Sequence, residues 1–177
     1  FGPDEQRCLQ RLEAEHDNLR AALDWMVASD EGELALRMIG MLWRFWQVRS
    51  HFQEAGGWLK QLLEQYKITN ALHAQALAIH SLCRFRQGDF SESIALAQQS
   101  LEMARTLSDK QTEALSLGCL GSLMAVQGNV GEGTPLMEQA LAIYRSLGDK
   151  IGQADMNEAL AMNNNDLERS IAYTNES

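Results

Sequence analysis

The chain has 177 residues and a formal charge of −9, from 15 Lys and Arg against 24 Asp and Glu. That balance excludes direct binding to duplex nucleic acid, because the phosphates are repelled and no basic run offsets the charge locally. Apolar residues make up 45% of the sequence, which excludes disorder, yet no apolar run reaches membrane-spanning length.

Alanine, leucine, glutamate and glutamine dominate the long segments, valine and threonine are scarce, and the only prolines are Pro3 and Pro135. These residues favour helix and starve a sheet. Cys8, Cys83 and Cys119 form no CxxC pair and sit in apolar helical patterns, which predicts a reducing, cytoplasmic compartment. The chain opens on Phe1-Gly2-Pro3 with neither initiator Met nor signal-peptide pattern, so it reads as a piece of something longer.

Residues 1–30 read as an N-terminal helical segment leading into an array. Helix is predicted over 4–28, as one long helix or as two broken near His16-Asp17. Ser29-Asp30-Glu31-Gly32 is the turn that follows. The array over 31–177 begins with helices over 34–48 and 52–66. Gly56-Gly57 lies inside the second and costs it about 1 kcal/mol per glycine relative to alanine, which points to a close backbone approach or a mild kink. Further on, Phe90, Ile94, Ala97, Leu101 and Ala104 recur at helical steps until Ser108-Asp109. Leu117, Leu120, Leu123 and Met124 give the next helix its apolar face, and Gly128-Asn129 ends it. Leu136, Met137, Ala140, Leu141, Tyr144 and Leu147 follow, closed by Gly148, with Asp149 as N-cap of the next helix. Asn163-Asn164-Asn165 favours a turn before a last helix over 166–173. The sum is nine or ten helices and no strand.

The pattern repeats. Gln87-Gly88-Asp89-Phe90-Ser91-Glu92 returns forty residues later as Gln127-Gly128-Asn129-Val130-Gly131-Glu132, and Leu101, Leu107 and Ala114 return as Leu141, Leu147 and Ala154. Phe52, Glu54 and Leu63 form an earlier copy at an offset of thirty-eight. Units therefore fall at about 34–68, 70–108, 110–148 and, in part, 150–177.

Leu120-Gly121, Met124, Gly128-Asn129, Glu132, Gly133, Met137 and Ala140-Leu141 resemble the tetratricopeptide motif in its long form. The unit before has His80-Ser81 in place of Leu-Gly, and the earliest unit has Trp43 in the small slot. The resemblance implies an all-α solenoid of stacked antiparallel helix pairs in a right-handed superhelix. The opening stretch from Leu12-Glu13-Ala14-Glu15-His16-Asp17-Asn18-Leu19-Arg20-Ala21-Ala22-Leu23-Asp24-Trp25 to Leu42-Trp43-Arg44-Phe45-Trp46 is similar to the start of the C-terminal repeat region of bacterial STAND-type signalling ATPases, which are multidomain regulators with LuxR-type or SARP-type DNA-binding domains. That likeness implies a ligand- or protein-binding sensor domain, with ATPase and DNA-binding domains elsewhere in the parent chain.

No residue set points to catalysis. There is no GxxxxGK[ST] phosphate loop and no GxSxG elbow. Gly131-Glu132-Gly133 reads as a flexible turn. His73 and His80 share a helix face two turns apart, too far for adjacent zinc ligands, and no cofactor or metal is expected. Trp43, Phe45, Trp46, Phe52 and Trp58 read chiefly as core, with a ligand platform beside Arg44 or Arg49 as the alternative. The first helix of each unit should line the concave face. Its inward residues are Arg37, Gly40, Arg44 and Gln47, then Gln75, Ala78, Leu82, Phe85 and Arg86, then Leu115, Gly118, Ser122 and Ala125. Arg37, Arg44, Gln47, Gln75, Leu82, Phe85, Arg86 and Ser122 are the groove residues expected to meet a protein, a peptide or a small effector. The alternative function is structural, self-association through exposed helix faces. Neither reading involves nucleic acid or membrane directly.

Overall fold

The structure, a computed structural model, describes the backbone of residues 3–67 and 69–175 and the side chains of 4–67 and 69–163. The described residues form ten helices and no strand: α1 (Pro3–Ala14), α2 (His16–Ala28), α3 (Gly32–Met41), α4 (Trp43–Val48), α5 (Phe52–Gln65), α6 (Ala71–Arg86), α7 (Phe90–Thr106), α8 (Lys110–Val126), α9 (Val130–Leu147) and α10 (Lys150–Asn175). Successive hairpins, α6 with α7 and α8 with α9, stack side by side, so the expected all-helical repeat is borne out.

The turns follow from residue chemistry. Gly88, Gly128 and Gly148 take φ of 82°, 87° and 70°, the left-handed conformation that ends a helix without a Cβ penalty. Aspartates cap several of the helix starts, Asp89 at α7, Asp109 at α8 and Asp149 at α10. The Asp109 carboxylate accepts the Thr112 N–H at 3.1 Å, and Asp149 accepts those of Ile151 and Gly152 at 3.0 Å. Met137 and Leu141 are buried and Leu101 is half-buried, so the repeat pattern does face an interior.

One repeat position explains how each hairpin closes. In the third unit Gly121 of α8 meets Gly133 of α9 backbone to backbone. In the second unit the equivalents are Ser81 and Ser93. Each hydroxyl donates to the other residue's carbonyl, Ser81 Oγ to Ser93 O at 2.8 Å and Ser93 Oγ to Ser81 O at 2.7 Å. Both polar groups are thereby buried without being left unpaired. In the first unit the pair is Trp43 and Ala55, and an indole cannot enter so narrow a crossing.

Four expectations are corrected. The helix over 34–48 is two, α3 and α4, meeting at Leu42 (φ −91°, ψ 5°) directly before Trp43. The backbone leaves helical angles there, and Trp43 lies half-buried at the edge of the core against Phe52, 6.2 Å between ring centroids. Gly131-Glu132-Gly133 is no flexible turn but the first turn of α9, because glycine is what the close crossing needs. Asn163-Asn164-Asn165 does not break the chain, and α10 runs through it; asparagine is only a weak helix former, whereas glycine or proline would stop the helix. Of the pair inside α5, only Gly56 marks a close approach, to Cys83 and Gln87, and a Cβ on Gly57 would meet nothing. The N-terminal segment is two helices, with the junction at Glu15.

The aromatic group is core. Trp46 is 0% exposed and Phe45 1%. They meet edge to face at 5.0 Å, Trp58 lies 5.8 Å from Trp46, and the Trp58 indole N–H donates to Asp24 of α2 at 2.8 Å. The N-terminal segment is thus welded to the first unit through rings contributed by α4 and α5.

Candidate functional site

The expected inner-wall residues divide into three groups. Arg44 and Gln47 of α4 come together, Arg44 Nη1 donating to Gln47 Oε1 at 3.1 Å. Among the described residues Arg44 also faces the carboxylates of Glu5 of α1 at 3.5 Å and Asp155 of α10 at 3.6 Å. Leu82 and Phe85 of α6 are half-buried against Ala97, Leu120 and Leu123, so they are as much packing as surface. Arg86 follows at the helix end, exposed, its guanidinium 5.5 Å from the Phe52 ring centre and 5.9 Å from that of Phe85. Among the described residues Arg86 makes no ion pair, so its charge faces solvent over an aromatic shelf. Arg37, Gln75 and Ser122 stand apart from these. Arg37 pairs with Glu33 on its own helix at 2.7 Å, Gln75 lies against Gly40, and the Ser122 hydroxyl approaches the Met137 sulfur at 3.8 Å.

The Arg44–Asp155 contact joins the first unit to the fourth and skips the two between. Both side chains are about one-third exposed, 30% and 35%, so the pair contributes on the order of 1 kcal/mol or less. Burial raises the Asp155 pKa above the ordinary carboxylate value, outweighing the lowering by Arg44 and by the Gln47 hydrogen bond. A bridge of that strength can be broken by a competing group. Asp155 was missed in the sequence, although repeat spacing puts Arg37, Gln75, Leu115 and Asp155 at equivalent positions and could have found it. Glu5 was missed with no such signal, since α1 lies outside the repeat.

A second surface lies on the other side of α6. There an open groove of about 490 Å³ runs between α5 and α7, with His73, Leu77 and His80 of α6 on its floor, Lys60 and Glu64 on one wall and Glu92 and Gln99 on the other. His80 is 3% exposed, and neither of its ring nitrogens has a hydrogen-bond partner; the Nδ1 of His73, 6% exposed, is also unpartnered. A groove of this size with unpaired polar atoms at its floor suits a small polar molecule. The shared face of the two histidines was evident from their spacing, but the walls come from helices the spacing could not place.

Burial lowers the pKa of both histidines, most directly by penalising the charged ring. In the unfolded chain they take up protons below about 6.5, whereas in the fold they stay neutral to lower pH. The unfolded state therefore binds more protons in that window, and stability is lost as pH falls below about 6.5 until the folded values are reached. His80→Leu should shrink the loss between about pH 7 and pH 5, by about 1.4 kcal/mol for each unit by which the fold depresses the pKa. Urea midpoints of the two proteins at both pH values check this, and equal losses would contradict it.

No family model matches the chain. It is 30% identical over 156 residues to proteins that carry the name HTH-type transcriptional regulator, Mb0914c of Mycobacterium bovis and MT0914 and Rv0890c of Mycobacterium tuberculosis. Each alignment covers 83% of this chain but 18% of the relative, so the chain spans less than a fifth of the length of the curated relatives it matches. Among the described residues, no helix is long and apolar enough to cross a membrane.

Proposed function

We propose that this chain is the helical-repeat sensor segment of a multidomain transcriptional regulator, non-catalytic in itself, which binds a protein or peptide on its inner wall and passes the event to ATPase and DNA-binding domains elsewhere in the parent protein. The likeness to named regulators supports the regulatory part. The observation that carries the sensing part is Arg44, a weak bridge between the first and fourth units. A partner presenting a carboxylate to Arg44 competes with Asp155, and the lost bridge lets the array take a more open curvature. The partner then shifts a population in proportion to its preference for the open form. Arg86, over Phe52 and Phe85, offers a second cationic and aromatic anchor of the kind that dominates protein interfaces.

Partners captured by the chain from its host's lysate, identified by mass spectrometry and titrated, test the reading. Arg86→Glu should weaken the principal partner at least about tenfold, a loss of about 1.4 kcal/mol, with the helical circular dichroism unchanged. His80→Leu, on the opposite groove, should leave that affinity intact. If Arg86→Glu binds as tightly as the parent, the inner wall is not the site. The reverse pattern would favour a small effector held over His80. Self-association is the competing reading, favoured by the exposure of Trp25 (60%) and Met41 (79%). It requires a stable oligomer in sedimentation across a concentration range.

A further inference from the structure

We infer that the junction between the N-terminal segment and the first unit is a zinc site, formed by His16, His51 and Glu13 with Glu54 as fourth ligand. Glu13 lies in the last turn of α1, His16 opens α2, His51 caps α5 and Glu54 lies in its first turn. Donor atoms of Glu13, His16 and His51 all lie within 4.8 Å of one another. The two imidazoles stack with centroids 4.0 Å apart, and the Glu54 Oε2 is 2.9 Å from His16 Nε2.

Three observations make this more than a surface cluster. The imidazole side chains are 15% and 20% exposed, held against Phe45 and Trp46 at 5.4–6.2 Å between ring centroids. The His51 Nε2 is buried without a hydrogen-bond partner, 3.5 Å from the Glu13 Oε2, a donor atom left over by the protein's own network. Each carboxylate also has an arginine beside it, Arg49 at 3.4 Å from Glu13 and Arg20 at 3.6 Å from Glu54, in the position of outer partners that orient a ligand.

Two imidazoles and two carboxylates match the four-coordinate preference of Zn2+, with bonds of about 2.0–2.2 Å. Tetrahedral donors then stand about 3.3 Å apart, so binding draws the Glu13, His16 and His51 donors together from within 4.8 Å and turns the two rings out of their stacked arrangement, with Glu54 swinging in beside His16. The ion would fasten α1 and α2 to α5, and with them the entry to the array. Such binding appears directly as stability, because the unfolded chain does not assemble the set.

Zinc titrated into the chelator-stripped 177-residue chain tests this by calorimetry. One equivalent should bind and raise the melting temperature. Co2+ in its place should give the visible bands of a four-coordinate site. His16→Gln and His51→Gln should each weaken binding at least tenfold and abolish those bands, while His73→Gln leaves both unchanged. If the His16 and His51 variants fail to fold, Glu13→Gln, at a more exposed ligand, must still weaken binding. Absence of saturable binding at one equivalent overturns the proposal. So does unchanged affinity in the folded His16 and His51 variants, or in Glu13→Gln should those fail to fold.

Discussion

Trp46→Ala should lower the unfolding free energy by about 3–5 kcal/mol, the range for deleting a large aromatic from a packed interior. Trp46 is 0% exposed and touches rings from three directions, Phe45 on its own helix, Trp58 of α5, and His16 of α2. Removing the indole leaves a void that these neighbours cannot fill without giving up their own contacts. The loss is a large fraction of the roughly 5–15 kcal/mol that holds a domain together. Trp46→Phe should cost much less. The ring remains, and the indole N–H it removes has no hydrogen-bond partner, so an existing penalty goes with it. Urea unfolding of both variants gives the ordering. In a repeat protein each unit leans chiefly on its neighbours, and the Arg44–Asp155 pair that skips two units is weak, so amide exchange should accelerate in α2, α4 and α5 while α8 and α9 keep their protection. A loss under about 1 kcal/mol for Trp46→Ala would show that the aromatic group is not core.

The hairpins and their boundaries were readable wherever local chemistry decides the backbone. Gly128 and Gly148 stop helices because they adopt left-handed angles freely, and Asp109 and Asp149 start them because a carboxylate can accept the free N–H groups. The spacing failed where tertiary packing overrides it. The break at Leu42 depends on what Trp43 would strike on the facing helix, and the helical first turn at Gly131-Glu132-Gly133 depends on how near α8 comes. Neither quantity is written in periodicity.

The site divides in the same way. Arg44 and Gln47 were legible as a pair, three residues apart on one helix, and Asp155, though missed, could have been found from the forty-residue register. That Arg44 meets Asp155 at all depends on how strongly the array curls, a sum of small rotations between units that the sequence does not display. His16 lies 38 residues before Glu54, on α2 outside the repeat register, whereas His51 and Glu54 belong to the start of α5. Local spacing could not bring them together, whereas the stacking of α2 on α5 does.

Gly133→Ala should be the more informative of the backbone substitutions, with a cost of about 3 kcal/mol, at the upper end for overpacking. A methyl on Gly133 would fall against the Gly121 carbonyl oxygen well inside contact distance, with the Ala125 nitrogen at 3.1 Å and the Met124 Cβ at 3.3 Å. The obstacle is backbone, so no rotamer change relieves it, and α8 and α9 must move apart along their whole contact. Gly121→Ala meets the same crossing from the other side, at 2.7 Å from the Gly133 carbonyl oxygen. The preceding unit supplies the internal comparison. There Ser93 already carries a Cβ and the crossing is wide enough to hold two hydroxyls. Ser93→Ala therefore removes one donated hydrogen bond and leaves the spacing intact, a cost of about 1 kcal/mol. The required order is Gly133→Ala well above Ser93→Ala in urea midpoints. If the two cost the same, the crossing distance is not set by the small pair, and the account of why Trp43 breaks the first unit's helix fails with it.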